Sequence, residues 1–67
     1  MKFTYDKEAD AAYVAFEEVR PKGVKHTIAL NEDVIVDFDN NNKIIGIEIL
    51  SASKNLNKKG LKQVVEA

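Results

Sequence analysis

The stretch from Asp33 to Ser53, DVIVDFDNNNKIIGIEILSAS, leaves this chain few ways to fold. Val34, Val36 and Phe38 alternate with Asp33, Ile35, Asp37 and Asp39, the period-two signature of a half-buried strand. Ile45, Ile47 and Ile49 alternate in the same way with Ile44, Gly46, Glu48 and Leu50. β-Branched residues dominate both runs, which suits a pleated surface and works against a helix. Between them, Asp39-Asn40-Asn41-Asn42-Lys43 offers side chains that bond their own backbone and tolerate positive φ, so the two strands form a hairpin. Gly46 inside a strand marks a bulge or a close approach by a neighbouring group. Ile35, Ile44 and Leu50 place apolar side chains on the second face as well. A sheet with one face in water alternates more cleanly, so a C-terminal helix or a partner subunit is expected to cover part of that face.

Upstream, Lys2 to Tyr5 reads as a first strand with Phe3 and Tyr5 on one side. Asp6 is placed to cap the amides of the turn that follows. Ala11 to Glu17 reads as a second strand, with Ala12, Val14 and Phe16 toward the core. Glu18 to Gly23 holds the only proline and makes a loop, and Lys25 to Leu30 is a third strand. Downstream, Ser51 and Ser53 are N-cap candidates for a short helical turn. Asn57 is placed to cap a second helix in which Leu61, Val64 and Val65 share one face. Gly60 weakens that helix by about 1 kcal/mol relative to alanine.

At 67 residues, one domain is the expectation, near the lower limit for a stable single core. Without cysteine no disulfide or thiolate–metal staple can compensate, so self-association is a natural way to bury more area. No run is long and apolar enough for a signal peptide or a membrane span, which makes a cytoplasmic location the expectation. A net charge of −1 gives the whole molecule no electrostatic reason to seek nucleic acid. The charge is uneven: residues 1–50 hold ten acids against six bases, and beyond them Lys54, Lys58, Lys59 and Lys62 face only Glu66. A solvated lysine-rich helix face accounts for that tail.

Three pieces of the chain are similar to a bacterial family known as domain of unknown function 2283. They are Tyr5-Asp6-Lys7-Glu8-Ala9-Asp10-Ala11-Ala12-Tyr13-Val14, Val34-Ile35-Val36-Asp37-Phe38-Asp39 and Gly46-Ile47-Glu48-Ile49-Leu50-Ser51-Ala52-Ser53. Lys7 stands where the family pattern commonly has proline. The resemblance implies a small antiparallel sheet with a C-terminal helix and brings no activity, cofactor or catalytic residue. It also implies an antitoxin-like partner role, since family members are thought to sit beside small toxin-like proteins.

Several constellations of polar residues bear on chemistry. Asp37-x-Asp39-x-Asn41, with Glu48 at the twelfth place, fits the ligand spacing of a calcium loop. Asn42 stands where that loop needs glycine, and the flanks are strands, so a polar hairpin turn is the simpler reading. Asp6, Glu8 and Asp10 read as turn-capping and solubilising acids. His26 has no cysteine partner for zinc and only carboxylates such as Asp37 or Glu48 as possible co-ligands. On a strand it could face a pocket as a general base, but with no nucleophile evident a sheet-surface or interface histidine is the simpler reading.

These readings predict one α+β domain over residues 1–67, an antiparallel four- to five-stranded meander sheet with a short C-terminal helix. They favour a non-catalytic interaction module without a cofactor. It would homodimerise through a face carrying Tyr13, Ile35, Ile44 and Leu50, with a small basic protein as a further partner. The rival class is a small metal-binding or acid–base enzyme using Asp37, Glu48 and His26, which requires those three side chains to converge.

Overall fold

The computed structural model describes residues 1–16, 23–24 and 26–65. Most of the Glu18–Gly23 loop, with Glu17, Lys25 and Glu66, lies outside the described residues. Five strands, β1 (Lys2–Asp6), β2 (Ala11–Ala15), β3 (His26–Ala29), β4 (Val34–Phe38) and β5 (Ile44–Ile49), precede α1 (Ala52–Asn55) and α2 (Lys58–Val65). The strands form one antiparallel sheet in the order β1-β2-β5-β4-β3. The architecture is therefore α+β, as the pattern predicts.

Three of the four pairings join consecutive strands, as in a meander. The fourth sets β2 against β5. β5 carries large apolar residues at most of its positions, and in the centre of the sheet it gains a neighbour on each side. The polar-edged β1 and the short β3 take the two ends.

Register assembles one continuous apolar face, the inner face. Tyr5, Ala12, Ile49 and Val34 form one row across it, and Phe3, Val14, Ile47, Val36 and Ile28 the next. The two helices pack over the β1–β2 side of this face. Ala12, Ala52 and Val64 are buried there among Phe3, Tyr5, Ile49, Leu56 and Leu61. Two alanines at the centre let helix and sheet approach closely. Of the expected helical stripe, Leu61 and Val64 face this core, while Val65 is half exposed and Leu56 joins instead. Asn57 caps α2 as expected, its Oδ1 accepting from the Gly60 amide at 2.7 Å.

Three further expectations are corrected. The helix expected over the second face, that of Ile35 and Leu50, lies on the inner face instead, where the smaller Ala12 lets it approach. Phe16, expected in the core, is 46% exposed, because it projects beyond β2 at the end of the sheet away from the helices. Neither Ser51 nor Ser53 caps α1 with its side chain. Ser51 adopts a left-handed conformation (φ 49°) with no side-chain cap bond, and the Ser53 hydroxyl is given to Asp10.

The local turns follow side-chain chemistry. Asp6 Oδ1 accepts from the amides of Glu8 and Ala9. Asn31 Oδ1 accepts from those of Asp33 and Val34, and Asp39 Oδ1 from those of Asn41 and Lys43. Asn42 takes the positive φ of 61° that the hairpin loop requires. The register shifts between Asp37 and Phe38, so that Asp37 pairs with Gly46 but Phe38 with Ile44.

Candidate functional site

On the outer face, opposite the helices, register lines up Lys2, Ala15, Gly46, Asp37 and Thr27 across all five strands. Tyr13 lies one row away, paired with Glu48, and its ring crosses Gly46 to reach Asp37. Its hydroxyl donates to Asp37 Oδ2 at 2.7 Å, and the Thr27 hydroxyl donates to Asp37 Oδ1 at 2.8 Å. A Cβ at position 46 would overlap the Tyr13 hydroxyl and ring, which supply its three nearest atoms. Gly46 therefore answers both expectations for a glycine in a strand, a bulge one position away and a close approach. Burial first, then the bond to Asp37 and the charges of Asp37 and Glu48, push the Tyr13 phenol up to about 12. Near neutrality it is a neutral donor and a poor base, and it ties β2 to β4 over the central strand.

A second network joins the first turn to α1. Asp10, left-handed at φ 52°, accepts from the Tyr5 hydroxyl at 2.6 Å, the Ser53 hydroxyl at 2.6 Å and the Ser53 amide at 3.1 Å. Its carbonyl also accepts from the Ala52 amide at 2.8 Å. The bond from Ser53, then that from Tyr5, holds the Asp10 carboxyl below its usual value, while the bond to Asp10 raises Tyr5. Asn55 Nδ2 adds a third tie, donating to Asp33 Oδ2 and to the Leu50 carbonyl, both at 2.9 Å.

The side chains proposed for acid–base chemistry do not converge. Asp37 and Glu48 share the outer face, but His26 pairs with Phe38 on the inner face and stacks on its ring at 4.9 Å. The calcium-loop set is likewise dispersed. Asp37 is engaged by Tyr13 and Thr27, Asp39 by its own turn, and Glu48 pairs with Tyr13 and Ile35 along the strands. Among the described residues no three His, Asp or Glu side chains gather as a metal group would need.

Of the four residues expected on one interaction face, register places Tyr13 and Ile35 in one outer row, with Leu50 following β5 on that side. All three are half-buried. Ile44 is separated from them, because the bulge turns it to pair with Phe38. Tyr13, Glu48 and Leu50 line an open outer hollow of about 350 Å³ together with Thr4, Asp6 and Ala11.

The largest exposed apolar side chains lie elsewhere. Phe16, Ile28 and Ile44 are 46%, 48% and 50% exposed at the uncovered end of the inner face, and Leu30, just past β3, is 67% exposed. The Phe16 amide donates to the Ile45 carbonyl, which brings that residue beside the bulge. β3 is exposed along its whole length, and among the described residues no strand pairs with its outer edge.

Residues 2–53 match the family described as Protein of unknown function (DUF2283). This chain belongs to the DUF2283 family. Over 57 residues, 85% of the chain, it is 42% identical to "Uncharacterized protein MJ0789" of Methanocaldococcus jannaschii. The chain spans about half of that relative's length, 46%. That relative is archaeal, so the similarity extends beyond bacterial proteins. No solved structure matches the chain. The residues that carry the family resemblance now have physical roles. Tyr5, Asp10 and Ser53 make one network, and Tyr13, Asp37 and Gly46 make the other. Both are braces between elements far apart in the sequence. Among the described residues no helix is long and apolar enough to cross a membrane.

Proposed function

We propose that this protein is a non-catalytic interaction module that associates with itself at the uncovered end of its inner sheet face. One observation carries the reading. The apolar rows that the helices bury at β1 and β2 run on to Phe16, Ile28, Leu30 and Ile44, each about half exposed or more. Such a patch, beside a strand edge that no described strand pairs, is what an association surface looks like in a small domain with little core of its own. The polar side chains best placed for chemistry are instead spent on internal bonds, and His26 faces away from Asp37 and Glu48.

The outer face supports the second partner, a small basic protein of the kind an antitoxin-like module would hold. Asp6 and Glu48 flank the hollow beside Tyr13, where a lysine or arginine stem could lie along the ring with its head between carboxylates. Sedimentation equilibrium of the full chain tests the self-association. The wild type is expected to dimerise and Ile28→Glu to remain a monomer of unchanged circular dichroism. A dimer that persists in Ile28→Glu would place association elsewhere.

A further inference from the structure

Resting on that reading, we infer that two copies join by antiparallel pairing of β3 with β3 about a two-fold axis at Ile28, fusing the two sheets into one of ten strands. The backbone fixes which groups are free. Leu30 donates its amide to the Val34 carbonyl, and Ile28 pairs with Val36 and His26 with Phe38 in the same register. In an antiparallel ladder residues alternate in direction, so 26, 28 and 30 bond inward to β4. The amides and carbonyls of Thr27 and Ala29 therefore point out from the edge.

A two-fold axis at Ile28 sets Thr27 opposite the partner's Ala29, and the reverse, so that four outward-pointing pairs are satisfied at once. Ile28 then faces its own copy in the closer, non-hydrogen-bonded pairing, and His26 lies beside the partner's Leu30. Paired residues share a face, so the inner faces of the two copies become one apolar surface with a helical cover at each far end.

Among the described residues the edge has none of the usual guards. β3 reads His26-Thr27-Ile28-Ala29, without charge of fixed sign, proline or bulge, whereas β1 ends in Lys2 and Asp6 and has α2 packed against it. Ile28 and Leu30 are 48% and 67% exposed, so these two aliphatic side chains offer only a small apolar patch per copy. One partner of a standard interface buries about 800 Å², so pairing at this edge belongs to the weak, concentration-dependent class.

The test uses the full chain, which has no cysteine of its own. Under mild oxidation Ile28→Cys is expected to form a disulfide dimer rapidly, since its Cβ meets its own copy across the axis. Ala29→Cys, set diagonally from its copy, is expected to form little. Ala29→Pro removes an outward amide and no inward one, so it should leave the fold intact and abolish the dimer seen by sedimentation. If Ala29→Pro does not fold, the cysteine pair alone decides. Equal cross-linking of both cysteine variants would overturn the pairing. So would a folded Ala29→Pro dimer that dissociates with Ile44→Glu, although that result would leave association through the open face standing. A wild type that stays monomeric up to about 1 mM would overturn both.

Discussion

At the β1 edge, Lys2 and Asp6 close the strand with charges and α2 packs against it. At the β3 edge, every residue from His26 to Ala29 is exposed and the apolar row ends on Ile28. One sheet thus has a finished end and an unfinished one, although its inner face is apolar across both. The difference comes from length. A helix of eight residues spans about 12 Å at 1.5 Å per residue, whereas five strands at about 4.8 Å spacing spread over more than that. The helix can finish one end only. The Tyr13–Asp37 bond over Gly46 ties the two ends into one unit by side chains, as the ladders on both sides of β5 do by backbone, since it runs from β2 to β4.

The sharpest way to break that unit is Gly46→Ala. The new Cβ would occupy the Tyr13 hydroxyl position, so the ring must leave and the bond to Asp37 is lost. A destabilisation of about 2–3 kcal/mol is expected in urea unfolding, combining overpacking with a lost charge-assisted bond. Because the three atoms nearest that Cβ all belong to Tyr13, the same change in a Tyr13→Ala background should cost much less. A coupling on the order of 2 kcal/mol between the two sites would confirm the crossing, and additivity would refute it.

A smaller pair of truncations compares the ends directly. Val64→Ala removes buried methyl groups from the covered end and is expected to lower stability by about 2 kcal/mol. Ile28→Ala, at the open end, should lower that of the monomer by about 0.5 kcal/mol or less. Unfolding curves taken at low protein concentration measure both. Equal losses would mean that the open end is as well packed as the covered one.

The two tyrosine–aspartate networks should part company with pH. The carboxyl of Asp10 is held low by its bonds from Ser53 and Tyr5, so its contribution is complete above its ordinary value of 3.8 and is lost as pH falls through the lowered one. Acid should loosen α1 from the first turn, seen as faster amide exchange at Ala52 and Ser53, and Asp10→Asn should blunt that dependence. Tyr13 behaves in the opposite sense. Its raised value favours the protonated folded form, so its contribution is complete below pH 10 and is lost as pH rises toward about 12. In a Tyr5→Phe chain, tyrosinate absorbance reports Tyr13 alone and should rise near pH 12; a midpoint near 10 would contradict the buried bond.

These networks also mark where reading the sequence stopped. The hairpin, the turns at Asp6 and Asp39 and the cap at Asn57 were legible because each is settled within about five residues, by period or by a side chain bonding its own backbone. Tyr13 and Asp37 lie 24 residues apart, and Asp10 and Ser53 lie 43 apart. Alternation gives a residue its face but not its neighbour, and the neighbour depends on β2 choosing β5. Ile44 shows the same limit at short range. One extra residue at the bulge moved it from the face of Leu50 to that of Phe38. Gly46 carried the missing signal, because a glycine in so apolar a strand asks for a large neighbour, and Tyr13 is the side chain of sufficient length on the adjacent strand.

The smallest expected effect concerns the cover itself. Gly60→Ala should strengthen α2 by up to about 1 kcal/mol on propensity alone. Its Cβ, however, would lie 3.2 Å from Asn57 Oδ1, the same atom that accepts the Gly60 amide. Relieving that contact pulls the cap oxygen away from its donor, and a cap is itself worth about 1 kcal/mol. The two terms oppose each other, so a net change within about 0.5 kcal/mol is expected in the intact chain. In an Asn57→Ala background there is no cap to disturb, and the full propensity gain should return. Amide exchange should then slow in β1 and β2 beneath the helix and stay as it was in β3 and β4. A gain shared by both ends would show that the helix steadies the whole sheet, and that the open end is open only at its surface.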